Sequence, residues 1–382
     1  MQSKHLISPV FFVIALFILG ACSGGSNRSG TSGGGEIPLG TYDFSATDEA
    51  MQLFIDQSDI FDGISYTLVD RIAGTVHQGA FGDHDLDIVV MLASTSKVPS
   101  VSLLMALNDD ESLNYDVEAS IDNYLPWEGV YGDRTTVQLV SNTSGIPGLG
   151  SLADYGPHQC QWSLDIILEA CAEILYTVEL PGSIAPGTLF DYGGTQWQLA
   201  GAVAEQVTNS TWNQLFSQYI AGPCDLEVFT YGNPWTNLPS FDGSPDSLIG
   251  KQNPQVEGGA ISNMQDYAKI LLMHLQDGSC GDQQILSAKS VEFMRINRAG
   301  DLGVDYAMGW WITPGDDDTS TIYYDPGAFG AISWLDIERG IGGYVAIDDY
   351  TRRDPAAVYA FVLSQVIPLQ QEAVDKARAE VE

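Results

Sequence analysis

Apolar positions along the 382-residue chain change their period more than once. Over 48–57 they recur every three to four residues, which predicts an amphipathic helix. Gly63 to Val69 and Ala73 to Phe81 then alternate on either side of a short turn, as in a β-hairpin. Asp87 to Ala93 leads into Ser94, and Val98 to Leu107 reads as a helix that the solvated turn Asp109-Asp110-Glu111 ends. From about 113 to 255 the chain is helix-rich with long loops. Helical spacing is clear at 165–175 and 196–207, and Thr211 is a candidate N-cap for 212–220. It returns at Met264 to Leu275, with Ser262 as candidate N-cap, and at 287–296. Beyond Tyr306 the pattern turns strand-like at 306–312, 319–324, 329–337 and 341–348, before a last helix from Pro355 to about Val366. Strands near both ends with helices between them predict an α/β (α+β) protein. One lobe is a sheet flanked by helices, built from 42–97 and 256–382; the other is an inserted all-helical lobe over 98–255. The cleft between lobes is the expected site.

The first residues belong to targeting rather than to the fold. Lys4 and His5 precede an apolar run from Pro9 to Gly20, too short to span a bilayer. Leu19-Gly20-Ala21-Cys22 resembles a bacterial lipobox, which implies a signal peptide over 1–21 and lipidation of Cys22. Residues 22–41, rich in Ser and Gly, read as a flexible tether to the domain at 42–382. Ser23 stands where an Asp would hold a lipoprotein at the inner membrane. The expectation is an exported bacterial lipoprotein, outer membrane-anchored or periplasmic. Cys160, Cys171, Cys224 and Cys280 remain, and an even count in an exported chain suggests disulfides with three possible pairings. Cys160–Cys171 with Cys224–Cys280 is the favoured one. Without a C-x-x-C a metal reading is poor.

Composition narrows the partners. A 45% hydrophobic and 10% aromatic chain is too rich for a disordered acidic tail. Only 15 Lys plus Arg stand against 50 Asp plus Glu, for a net charge of −35. Such a surface lacks the clustered cations that nucleic acid requires, and nothing holds it electrostatically on anionic lipid. Membrane contact is expected only through the lipid anchor.

Against so few cations, Ser94-Thr95-Ser96-Lys97 stands out as the chain's one S-x-x-K. A Ser at a helix N-terminus sits where unpaired N–H groups and the dipole favour an oxyanion. A Lys three residues on lies on the same face and can ease the deprotonation of that Ser. Other nucleophile schemes are weak. Gly30-Thr31-Ser32-Gly33-Gly34 lies in the tether, and His77, His84, His158 and His274 show no obvious Ser or Cys partner. There is no HExxH, P-loop or G-x-G-x-x-G signal.

A second constellation runs from Pro186-Gly187-Thr188 through Phe190-Asp191-Tyr192-Gly193-Gly194 to Leu199-Ala200-Gly201. Three more accompany it. They are Ser141-Asn142-Thr143-Ser144-Gly145, Gly258-Gly259-Ala260-Ile261-Ser262 with Asp266-Tyr267-Ala268, and Tyr306-Ala307-Met308-Gly309-Trp310-Trp311. In this order they resemble the serine β-lactamase and penicillin-recognising superfamily, in its class C-like esterase branch, over roughly 48–365. The resemblance implies a β-lactamase/transpeptidase-like fold and acyl transfer through an acyl-serine, with no cofactor and no metal. Ser94 would be the nucleophile, Lys97 and Tyr192 would share its proton, and the Ser94 N–H with one from a strand would form the oxyanion hole. Two departures matter. Gly194 stands where the family's Y-x-N has its Asn, and Asp325-Pro326-Gly327-Ala328 stands where a Lys or His precedes x-Gly. Gly194, Asp325, Gly327 and Ala328 are thus the candidate oxyanion and substrate-binding positions, and Asp325 would repel a carboxylate. The implied activity is a carboxylesterase on a small uncharged ester. The alternatives are an amide hydrolase (D-aminopeptidase, β-lactamase or DD-carboxypeptidase-like) and a non-catalytic envelope binding protein. Trp197, Trp311, Tyr323 and Tyr324 are candidates for an apolar acyl pocket, Trp310 and Trp334 read as core, and Asp316-Asp317-Asp318 reads as a solvated turn.

Overall fold

A computed structural model describes residues 41–149, 157–236, 238–314, 321–350 and 354–380, all within one compact unit that runs from Leu39. The signal peptide, nearly all of the tether, Cys22 and the Asp316–Asp318 turn lie outside the described residues.

Helices α1 (Ser45–Asp56), α2 (Lys97–Asp109), α3 (Thr136–Val140), α4 (Leu168–Thr177), α5 (Thr195–Thr208), α6 (Trp212–Phe216), α7 (Met264–Leu275), α8 (Ala288–Met294), α9 (Pro355–Phe361) and α10 (Ile367–Ala379) follow in chain order. The strands are β1 (Gly63–Asp70), β2 (Gly74–Gly82), β3 (Val90–Met91), β4 (Thr230–Tyr231), β5 (Ala260–Ser262), β6 (Ser279–Cys280), β7 (Gln283–Gln284), β8 (Trp311–Pro314), β9 (Thr321–Pro326), β10 (Ile332–Asp336) and β11 (Ile341–Ala346).

Six strands form an antiparallel sheet in the order β2-β1-β11-β10-β9-β8, so the N- and C-terminal parts of the chain meet where β1 pairs with β11. On one face α1, α9 and α10 bury Met51, Ile55, Phe361 and Val374 against Leu68, Trp334 and Val345. On the other lies α7, where Tyr267 stacks on Tyr344 at 4.4 Å between ring centroids. Every residue of β1 is buried, because its sheet is covered on both faces rather than wetted on one. Between the two sheet-forming segments, α2 to α6 enclose an apolar core around Trp197 and Trp212.

Several boundaries move for identifiable reasons. The N-cap of α7 is Asn263, whose side chain accepts from Asp266 N–H, so Ser262 belongs to β5. The strand expected over 306–312 is an isolated bridge, Tyr306 to Trp311, and a turn at Gly309 (φ +86°) before β8. The last helix does not stop near Val366. A π-turn over Val362–Val366 carries the helical run past Pro368 into α10, and it reaches Ala379. Thr211 does cap α6, through a reciprocal capping box with Gln214. Both favoured disulfides are present, Cys160–Cys171 and Cys224–Cys280. The first is possible because Cys160 sits on a 3-10 turn, Pro157–Trp162, folded back beside α4.

Candidate active site

The chain enters the site through a strained residue. Ala93 holds φ +48°, a left-handed value that costs a residue with a Cβ roughly 1 kcal/mol or more. It opens the 3-10 turn Ala93–Ser96, so Ser94 lies just ahead of α2 rather than in it, half-buried at the wall of a cavity. The turn is fixed on every side. Thr95 Oγ1 donates to the carbonyls of Asp325 and Ala331 at 3.0 and 3.1 Å, and Tyr267 donates its hydroxyl to Thr95 O at 2.9 Å. Ser96 Oγ donates to Ala93 O at 2.7 Å and accepts from Ala260 N–H at 3.1 Å.

Lys97 is 1% exposed, with its Nζ donating to Glu257 O at 3.0 Å. The same Nζ lies 4.6 Å from the ring centroid of Tyr192 and 5.4 Å from that of Trp197. Tyr192 reaches this position on a loop held by the Ser141–Gly145 turn. Asn142 (φ +56°) takes hydrogen bonds on Oδ1 from Gln196 Nε2 and Trp197 Nε1, both at 3.1 Å, and Asp191 N–H donates to its carbonyl at 2.9 Å. Leu149 N–H donates to Tyr192 O at 2.7 Å, and a side chain at Gly148 would meet that same oxygen at 2.4 Å, so only Gly lets the two segments close. Asp266 ties the next motif down by accepting the N–H groups of Glu227, Val228 and Phe229.

The resulting cavity of about 390 Å³ is lined by Ser94, Lys97, Tyr192, Gly194 and Ala328 together with Leu149, Gln161, Trp162, Trp235 and Glu257. The structure therefore brings together the three residues of the S-x-x-K and tyrosine motifs, with Gly194 and Ala328. Two other expected site residues stand elsewhere. Asp325 is wholly buried under the start of α2 and does not line the cavity. Strand parity turns Tyr324 and Asp325 to opposite faces of β9, and Asp325 points inward. Burial pushes its carboxyl well above the usual range, with Lys97 pulling the other way. Gly327 is packed onto the nucleophile turn, where an added Cβ would lie 2.0 Å from Leu92 O, and its N–H is spent on Ala331 O at 2.7 Å. That leaves Ala328, next in the chain and on the cavity wall, as the strand-side position nearest in kind to an oxyanion donor. Trp197 is fully buried behind Lys97 rather than facing the cavity, and Trp310 and Trp334 are core. Trp311 packs on Tyr192 at 5.8 Å between ring centroids.

Sequence reasoning passed over Gln161, Trp162, Trp235 and Glu257. A signal existed only for Glu257, which immediately precedes the Gly258–Ser262 motif. It also missed that His274 has a serine partner, Ser102, at 3.0 Å. Both are sealed from solvent, and burial pushes the imidazole down to about 3, so the pair is a neutral core hydrogen bond.

Comparisons with known proteins bear on the fold and the family. Penicillin-binding protein 4 from Amycolatopsis lactamdurans is 24% identical over 303 residues, 73% of this chain and 77% of its own. The solved structure of EstCE1, a hydrolase with promiscuous acyltransferase activity, superposes with a TM-score of 0.67 at 16% identity, over 86% of this chain and 97% of that one. A D-stereospecific amidohydrolase from Streptomyces sp. gives 0.62 at 19% identity, over 83% and 98%. The Beta-lactamase family model matches residues 65–366, and the chain therefore belongs to that family of serine hydrolases.

Proposed function

We propose that the protein is a carboxylesterase that hydrolyses small uncharged esters through an acyl-serine. The observation that carries this reading is the composition of the cavity wall around Ser94. Among the described residues Lys97 is its one cation, and it is committed to Glu257 O and the face of Tyr192. Among the described residues a substrate carboxylate would meet no cation across from the nucleophile, and the Asp325 that stands where the family has its Lys or His is buried away from it. Leu149, Trp162, Trp235 and Ala328 offer apolar surface instead.

In this reading Ser94 Oγ attacks the ester carbonyl while its proton passes to the Tyr192–Lys97 pair, which returns it to the departing alkoxide as alcohol. The backbone N–H groups of Ser94 and Ala328 hold the oxyanion. Water then attacks the acyl-serine, frees the carboxylic acid and restores the Ser94 hydroxyl. The location follows the sequence: an exported lipoprotein held by Cys22, in an oxidising compartment that suits two disulfides.

A fluorophosphonate probe and short p-nitrophenyl esters test the proposal. Ser94 should be labelled and the esters turned over, and Ser94→Ala should abolish both. A folded protein that does neither refutes the enzyme, and faster turnover of nitrocefin or D-Ala peptides than of esters refutes the substrate class.

A further inference from the structure

The strand-side wall of the cavity ends in a turn with one backbone donor left over. Gly330 N–H donates to Gly327 O at 2.8 Å, which closes residues 327–330 as a β-turn. Neither Ala328 nor Phe329 has a positive φ, so the turn is type I with Ala328 at its first central position. Gly327 N–H goes to Ala331 O at 2.7 Å, and Phe329 O accepts from Asp349 N–H at 3.0 Å. Ala328 N–H donates to none of the described residues, and Ala328 lines the same cavity as Ser94.

The peptide that carries this N–H is gripped from behind. Tyr359, on α9, donates its hydroxyl to Gly327 O. Gly327 O and Ala328 N–H belong to one peptide unit, and that unit is trans. A trans peptide is planar, so its C=O and N–H point in opposite directions and neither turns without the other. Drawing the carbonyl toward Tyr359, which is not part of the cavity wall, therefore aims the N–H away from α9. The bond also polarises the unit, and a carbonyl that accepts hydrogen bonds makes its own N–H a stronger donor. The phenol has a firm base, because Val358 and Phe361 of α9 are buried in the core against the sheet. Burial pushes the phenol above its ordinary value, with Tyr192 and Asp325 adding to the effect, so Tyr359 stays a donor.

We propose that Tyr359 is a positioning residue for the oxyanion hole: through Gly327 O it sets the direction and strength of Ala328 N–H toward the oxyanion that forms when Ser94 attacks. The proposal deepens the esterase reading above and rests on it. Tyr359 gives up no proton in this role and acts only through the peptide. Gly330 N–H holds the same carbonyl, so losing the phenol weakens the hole without abolishing it.

Tyr359→Phe in the purified full chain keeps the ring and removes only the hydroxyl. Attack on the ester and attack of water on the acyl-serine both pass through an oxyanion, so both steps should slow together. The expected result on p-nitrophenyl butanoate is a kcat and kcat/KM both lower by about tenfold with KM within about twofold, the pattern of an interaction made only in the transition state. Ala328→Pro deletes the donor itself, at a turn position that favours Pro, and should cost about 100-fold in kcat. Adding Tyr359→Phe to it should cost less than about twofold more, since the two act through one N–H. Circular dichroism verifies the fold of each variant, and the kcat-against-KM split of Tyr359→Phe decides the matter even if Ala328→Pro does not fold. Wild-type kcat in either variant, a loss carried by KM alone, or an undiminished Tyr359→Phe loss on the Ala328→Pro background overturns the role of Tyr359 and leaves the esterase standing. No turnover of any ester by the wild type with no labelling of Ser94 by a fluorophosphonate instead overturns the esterase, and the role of Tyr359 with it.

Discussion

Replacing Gly194 by Ala tests the packing of the candidate site at a single atom. Gly194 has φ −76° and ψ −26°, values any residue adopts, so the added methyl brings no backbone strain. Its whole effect is steric: the new Cβ arrives 2.0 Å from Glu257 Oε1, 2.6 Å from Glu257 Cδ and 2.6 Å from Gln161 Oε1. Real Cβ contacts lie more than 3 Å apart, so the carboxyl must move by about an ångström in a covered space. Overpacking of this kind costs about 1–3 kcal/mol. A displacement of that size beside Ser94 and Lys97 should lower kcat/KM on short esters by about 100-fold. Removing the obstructing group restores room, so Gly194→Ala with Glu257→Ala should lose less stability than the two single changes summed. The coupling should be at least about 1 kcal/mol, within the usual range for touching residues. Urea unfolding of the four proteins measures the coupling, and p-nitrophenyl ester kinetics measure the catalytic effect. Additive stabilities, or a Gly194→Ala protein with wild-type kinetics, would refute the claim that Gly194 is glycine because Glu257 needs its space.

Other predictions follow from particular residues. Lys97→Ala should retain the fold but lose at least about 100-fold in the rate of Ser94 acylation, read as fluorophosphonate labelling by intact mass; an unchanged rate would remove Lys97 from the mechanism. Reducing or deleting the Cys224–Cys280 bridge, which spans 56 residues, should destabilise the protein by about 4 kcal/mol in urea. Burial raises the Glu205 carboxyl to about 7, the Trp212 N–H opposes this and Glu169 adds to it. Its folded form thus binds a proton more tightly than its unfolded form, so its contribution is complete below about pH 4.5 and disappears as pH rises through 7. Glu205→Gln should therefore match wild type near pH 4.5 and exceed it by roughly 3 kcal/mol at pH 9, by chemical denaturation at both pH values.

What the sequence disclosed depended on how local the signal was. Ser94 and Lys97 were legible because three residues of separation next to a helix place both side chains on one face. Tyr192 was legible through a loop motif whose neighbours, Asn142 and Gly148, are required by its backbone path. Asp325 was misplaced because its role depends on strand parity at the end of β9, and a one-residue ambiguity there exchanges the cavity for the core. Glu257 and Gln161 stayed hidden because they meet only where three distant segments converge on the space at Gly194. The last helix was ended near Val366, since nothing local announces the π-turn over Val362–Val366 that carries it on to Ala379.

The Cys160–Cys171 bridge has a consequence beyond stability. It clamps a short 3-10 turn to α4 one residue before Gln161, so this stretch of the cavity wall is joined covalently to Cys171 in the hydrophobic core. Three hydrogen bonds hold the same turn without it: the Gln161 carbonyl accepts from Asn233 and Gln255, and the Cys160 carbonyl from Asn253. Oxidation thus stiffens a wall that hydrogen bonds already shape, and ties the rim of the cavity to the core.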